Sequence, residues 1–332
     1  MQSSNPRSTR TVHRSVRQII TIAILTATLN TSAHADERAL FKPLPKDAGT
    51  TQYPVSPERV ALGKKLFNDT LLSKSKKISC NSCHTLSNFG VDNEPTSLGH
   101  EGHRGGRNSP SVYNAALHIA QFWDGRAADV EAQALGPILN PGEMAMPDEA
   151  TVVQRLREDK DYPALFRKAF PSEKEPTTFA NVGLAIGAFE RTLMTPSRFD
   201  SYLAGDDSAL TTEEKAGLKT FVATGCGACH NGVTVGGGMY QKLGLVVPYQ
   251  TTDLGRFSIT KNEADRFVFK VPSLRNSEKT APYFHDGSVA TLEEAVRLMG
   301  KHQLGRDLNQ EDTASIVTFL RSLTGKLPAD VG

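Results

Sequence analysis

The residues best suited to chemistry are gathered in two copies of one five-residue string. These are Cys80-Asn81-Ser82-Cys83-His84 and Cys226-Gly227-Ala228-Cys229-His230, and together they hold all four cysteines. The Cys-x-x-Cys-His spacing is the attachment pattern of c-type haem. Both thiols form thioethers with the porphyrin vinyls, and the adjoining imidazole reaches the iron as proximal ligand. Two copies call for two covalent haems, and two haems in one chain call for electron transfer or redox catalysis. Other readings fit less well. A thioredoxin-like Cys-x-x-Cys belongs beside a strand–helix–strand pattern, and neither copy has one. A four-cysteine zinc site needs no histidine after each pair, and the two pairs lie far apart in the chain. No cysteine is left for a structural disulfide.

A haem iron also has a sixth position, filled by a ligand or left open for chemistry. Outside the motifs and the first 35 residues, the candidates are His100, His103, His118, His285 and His302, with Met144, Met146, Met194, Met239 and Met299. Residue type does not choose among them. A lone histidine is ordinarily a surface or hydrogen-bonded group, and a methionine on a helix face ordinarily fills core.

These motifs need rigid supports. Ser56-Pro57-Glu58 reads as a helix start, with serine as cap and proline in the first turn. Val60, Leu62, Leu66 and Phe67 follow at helical spacing up to Asn68-Asp69, ahead of the first haem string. Thr212-Glu213-Glu214 is expected to cap a helix burying Leu218, Phe221 and Val222 ahead of the second string. The two halves thus repeat one plan, helix then motif. A further helix is expected from Asp148, with Val152, Val153 and Leu156 inward, and a buried one over Phe179–Leu193. Thr195-Pro196-Ser197 breaks that run and marks a domain boundary. Thr291-Leu292-Glu293-Glu294 is a capping box opening a helix through Met299. The last helix is expected over Glu311–Leu323. Residues 85–114 and 231–290 lack periodicity and read as long loops, which in compact domains tend to be functional. Strand signals are few. The expected fold is mainly α: two cytochrome c-like domains, each with one covalent c-type haem, wrapped in long loops.

The chain's 332 residues suit two domains, and its 38% hydrophobic and 22% charged residues are those of a globular protein, not a disordered one. Residues 1–35 read as a secretory signal. Arg7, Arg10, Arg14 and Arg17 precede the uncharged run Ile19–Leu29, and Ala33-His34-Ala35 is a cleavage site. The mature chain would begin at Asp36 and be periplasmic, where haem attachment takes place. The domains are then 36–197 and 198–332. Without the four arginines the chain keeps 34 basic against 36 acidic residues, so nothing in its charge suggests nucleic acid.

The sequence resembles the bacterial dihaem cytochrome c peroxidases through nearly all of its mature length. The resemblance rests on GVDNEPTSLGH ending at His100, RNSPSVYNA from Arg107, QFWDGRAADV from Gln121 and EMAMP from Glu143. It continues in PSLRN from Pro272, APYFHDGSV from Ala281 and EEAVRLMGKHQLG around Met299. The wider group includes the methylamine-utilisation enzyme that oxidises tryptophan in a partner protein. The resemblance implies that His84 is proximal to a peroxidatic haem and that His100 is its distal ligand at rest, released when the other haem is reduced. It implies that Glu143 is the catalytic acid/base, with Gln133 beside it in the distal pocket. Met299 would face His230 as second ligand of the electron-accepting haem, and Trp123 would lie between the haems. Asn108, Thr280 and Pro282 match a calcium site, a match that rests on the resemblance alone. The tryptophan-oxidising relative has tyrosine where Met299 stands, so methionine favours the peroxidase.

The implied activity is reduction of hydrogen peroxide to water, with electrons from a small periplasmic cytochrome c or blue copper protein, in a homodimer. Two rivals remain. A dihaem electron-transfer cytochrome would have no use for Glu143 or a releasable His100. A dihaem enzyme oxidising a protein or organic substrate is disfavoured by Met299.

Overall fold

The computed structural model describes residues 37–329, which pack in one compact unit. The expected signal at 1–35 lies outside them. Helix α1 (Pro57–Asn68) starts where Ser56 caps it, its hydroxyl accepting from Arg59 N at 3.3 Å. The single turn α2 (Cys80–Cys83) carries the first haem string. Asp129 caps α3 (Val130–Leu139) and Asp148 caps α4 (Glu149–Glu158). Next come α5 (Tyr162–Ala169) and α6 (Phe179–Glu190). Then α7 (Arg198–Leu203) leads to α8 (Thr212–Thr224). After the short α9 (Phe257–Thr260) the chain closes with α10 (Leu292–Leu304) and α11 (Gln310–Ser322). Strands β1 (Tyr240–Lys242) and β2 (Val268–Lys270) pair antiparallel, Tyr240 opposite Lys270.

The mainly helical reading holds, with differences at several element ends. The cap of α8 is Thr211, not Thr212, and Thr211 and Glu214 form the reciprocal pair of hydrogen bonds. Helix α6 stops at Glu190, short of Leu193, because Thr192 N turns back to Phe189 O. Helix α10 runs past Met299 to Leu304, where Gly305 adopts a left-handed conformation. Helices α3, α5 and α7 were not anticipated. Pro137 inside α3 reads as a break, and the other two span only eight and six residues.

Two apolar clusters form the core. The first joins Leu62, Leu66 and Phe67 of α1 to Val182, Ile186 and Phe189 of α6, with Phe166 of α5. The second joins Leu218 and Phe221 of α8 to Ile316, Phe319 and Leu320 of α11. The chain ends cross over. Phe41 enters the second cluster, edge-on to Phe199 at 5.3 Å, while Leu327 packs on the first. Buried ion pairs fasten each part: Arg191 holds Glu131 at 2.7 and 2.8 Å, and Arg275 holds Asp200 twice at 2.9 Å.

The two halves share a packing device. Each helix before a haem string meets its partner helix at a glycine. A Cβ on Gly63 of α1 would overlap the Ala185 carbonyl oxygen of α6, and one on Gly217 of α8 would overlap the Ser315 carbonyl oxygen of α11. Alanine would favour an isolated helix by about 1 kcal/mol. Overlap with backbone cannot be relieved by a rotamer change and costs about 1–3 kcal/mol or more. Gly63→Ala and Gly217→Ala are therefore each expected to lower the thermal midpoint. A raised midpoint in either would refute the close approach.

Candidate functional site

Cys80 and Cys83 are the two ends of α2, whose entry is fixed by Ser79 N donating to Ser82 Oγ at 3.0 Å. With His84 they border a cavity of 540 Å³ that also meets Gln133, Glu143 and Trp123. Burial pushes the Cys80 thiol up to about 12 and raises Cys83 as well. Neither is a thiolate at neutral pH, the opposite of a redox-active dithiol. Burial also lowers the pKa of His84, leaving the neutral imidazole that ligates metals.

The second string borders a separate cavity of 260 Å³, formed by Cys226, Cys229, His230 and Met299. Met239, the competing methionine, is not in its wall. Burial raises Cys226 to about 11 and lowers His230 to about 4. Among the described residues, no three His, Cys, Asp or Glu side chains are grouped to hold a metal ion, which removes the four-cysteine zinc reading.

Both cavities fit a covalently held haem. Each brings two thiols and a neutral imidazole to one wall. The Nδ1 atoms of His84, in the first cavity, and His230, in the second, are buried without a hydrogen-bond partner. Imidazoles in that condition lack a partner that the protein does not itself supply.

Glu143 stands in the turn after α3. Asn140 Nδ2 donates to its Oε1 at 2.8 Å. Burial raises the pKa of its carboxyl, and this outweighs the opposing pull of Arg126 and of the Asn140 bond. Arg126 lies over the Phe122 ring, 3.4 Å from its centroid, and donates to Asp124 at 3.0 and 3.1 Å.

His100 is carried on a narrow hairpin. Gly99 N donates to His103 O at 2.7 Å and Gly105 N to Ser97 O at 3.0 Å. Residues 101–104 are exposed. The hairpin meets the carboxylate segment through His100 N, which donates to Glu143 O at 2.8 Å. The His100 ring is 12% exposed and lies 3.4 Å from the Glu101 carboxylate without hydrogen-bonding to it. Gly99 borders the first cavity, but His100 itself does not.

Trp123 borders both cavities, as do Asn108, Ser109, Pro110 and Ser111. Its indole N–H donates to Asn108 O at 2.9 Å, and its ring meets His285 edge-on at 6.4 Å. Asn108, Thr280 and Pro282 all border the second cavity. The Asn108 amide nitrogen donates to Glu94 O and Pro95 O at 3.0 and 3.3 Å.

Other wall residues were not singled out from sequence. Arg107 and Arg126 lie inside the strings that carry the resemblance. Arg107 donates to Asp124 at 2.6 Å and to Asp253 at 2.6 and 2.9 Å. Asp253 lies in the aperiodic stretch 231–290, where no local pattern marks it. Glu190, at the end of α6, brings a second carboxyl of raised pKa to the first cavity, pushed up to about 8 by burial and by Glu131.

Comparison with known proteins places the chain among dihaem peroxidases. A family model for di-haem cytochrome c peroxidase matches residues 57–208. The chain is 48% identical to the cytochrome c551 peroxidase of Pseudomonas aeruginosa over 302 residues, covering 89% of this chain and 87% of that one. It is 46% identical to the cytochrome c551 peroxidase of Nitrosomonas europaea, covering 94% and 93%. Among solved structures, a MauG-like protein associated with microbial copper homeostasis superposes with a TM-score of 0.76 at 31% identity, covering 86% and 94%.

The Arg107 bridge has a pH consequence. Burial alone would raise Asp253, but the bonds from Arg107 prevail and hold it below the ordinary carboxylate range. A depressed folded pKa contributes stability above the unfolded value, lost as pH falls through the folded one. Arg107→Met leaves half-buried Asp253 without its cation and buried Asp124 with Arg126 alone. Its thermal midpoint should lie below the parent's at neutral pH, and the gap should narrow as pH falls through the carboxylate range, where the parent loses the stability that Arg107 gives ionised Asp253. Identical pH–midpoint curves would show that the bridge carries no stability.

Proposed function

The chain belongs to the di-haem cytochrome c peroxidase family, and from that premise we propose that it reduces hydrogen peroxide to two waters with electrons from a small periplasmic cytochrome c or blue copper protein. The observation that carries this reading is the asymmetry of the two cavities. The first contains a carboxyl of raised pKa, Glu143, whereas no Asp or Glu borders the second. Chemistry belongs to the first, and electron entry to the second.

Cys80, Cys83 and His84 would hold one haem in residues 36–197, and Cys226, Cys229, His230 and Met299 the other in residues 198–332. When bound, these haems supply the irons at which peroxide is reduced and donor electrons are received. A thioether ligand such as Met299 raises reduction potential, which suits a centre that takes electrons from a mild donor. Glu143 accepts a proton from one peroxide oxygen and delivers it to the other, which departs as water. Two electrons and two further protons complete the two waters. Gln133, in the same wall, orients the peroxide through its amide. His100 closes the site at rest, and its exposed hairpin supplies the freedom to withdraw. Trp123, bordering both cavities, lies on the route between them. Asn108 Oδ1 and the Thr280 and Pro282 carbonyls are oxygen donors suited to one calcium ion. The assembly is a homodimer. Among the described residues no helix is long and apolar enough to cross a membrane; the leader pattern supports the periplasm.

Glu143→Gln keeps shape but removes the proton acceptor. Steady-state turnover should fall at least about a hundredfold, with both haems retained, since general acid–base catalysis is worth roughly 10²- to 10⁴-fold. The parent protein should show an acid limb above the ordinary carboxylate range, because the base form prevails only above the raised pKa. That limb should vanish in the variant. Near-native turnover in Glu143→Gln would place the proton transfer elsewhere.

His100→Gly should be active without prior reduction of the second haem and should show more high-spin character at rest. Stopped-flow peroxide addition to the oxidised variant tests this. A wholly low-spin protein that still required reduction would show that His100 is not the gate.

A further inference from the structure

Lys270 ends β2 and is 6% exposed. Its ammonium makes no ion pair with any described carboxylate, and no Asp or Glu borders the cavity it faces. Its one side-chain partner is His118 Nδ1, at 3.3 Å. An ammonium can only donate, so Nδ1 accepts, and the His118 proton must sit on Nε2. That Nε2–H is itself buried and without a partner. Lys270 thus presents a cation without a counter-ion, and His118 a neutral N–H donor without an acceptor. Both residues border the second cavity and neither borders the first.

Leaving such donors unsatisfied inside the protein is costly, and burying a cation without an anion more so. Burial lowers Lys270 only to about 8, so the group remains mostly charged at neutral pH. The seat therefore calls for an anion with at least one acceptor oxygen, supplied from within the cavity. A haem covalently held by Cys226 and Cys229 carries two propionates.

We propose that Lys270 and His118 form the seat of one propionate of the second haem, through Nζ and Nε2 on a single carboxylate. This rests on the dihaem reading. The seat is fixed at the junction of the two cavities, because Lys270 N donates to Trp123 O at 2.7 Å. On one side His118 packs directly on Gly237, where an added Cβ would overlap its ring. Lys270 is thus a positioning residue for the haem. Its charge favours the reduced over the oxidised form, in the same direction as the Met299 thioether.

The test is a redox titration of the second haem in the holoprotein and in Lys270→Met, after covalent haem is counted in both. Methionine keeps the length of the side chain and the backbone bond to Trp123 O, and removes the charge. The reduction equilibrium of the second haem should shift at least tenfold towards the oxidised form, about 59 mV for one electron. Lys270→Arg should restore most of the shift. Two haems with an unchanged potential in Lys270→Met would overturn the seat and leave the dihaem reading intact. Fewer than two covalent haems in the parent protein would overturn both. If Lys270→Met does not fold, a crystal structure of the parent holoprotein decides. A propionate oxygen bonded to Nζ supports the seat; water or another group there overturns it.

Discussion

The Arg107 guanidinium is the tie on which the site depends. It holds Asp124 with one arm and Asp253 with the others, joining residues 146 positions apart in the chain. Asp124 in turn anchors Arg126 and follows Trp123 directly. Through this tie the segment from Arg107 to Arg126 becomes a wall common to both cavities. The Trp123 indole is then fixed from the same segment, on the carbonyl of Asn108. Low exposure makes the bridge strong and also makes it intolerant of losing one member.

On that common wall the two cavities differ in chemistry. They share an attachment pattern, a neutral buried imidazole and a supporting helix packed through a glycine. The first contains carboxyls raised by burial, Glu143 and Glu190. The second has Met299, Lys270 and His118 and no acidic wall residue. Groups that move protons are thus kept apart from groups that favour an added electron. Under the proposed function, the first cavity serves catalysis and the second electron entry.

The His100 hairpin is built in a way that suits the proposed gate. Its outer residues are exposed and held by a few backbone hydrogen bonds and by Arg104, whereas the first apolar cluster is buried. Opening it breaks few apolar contacts, which places it among the segments that open most easily. Its link to Glu143 is a backbone bond, so withdrawal of His100 does not require the Glu143 carboxyl to move.

What the sequence determined by itself was local. Caps, the helices that bury one face, and the two Cys-x-x-Cys-His strings depend on residues within a turn or two of each other. Ser56, Asp148 and Thr291 could therefore be read directly as helix starts. Short or irregular elements escaped: α3 holds a proline, and α5 and α7 are too brief for a period to show. The site residues from His100 to Met299 were legible only through family strings, because nothing local gives Glu143 or His100 a task. The tertiary structure alone decided that Trp123 borders both cavities, that Arg107 meets Asp253, and that Lys270 faces His118 without a counter-ion. Those facts depend on which distant segments are buried together. Burial, rather than residue type, sets the charge state and the missing partner of each group.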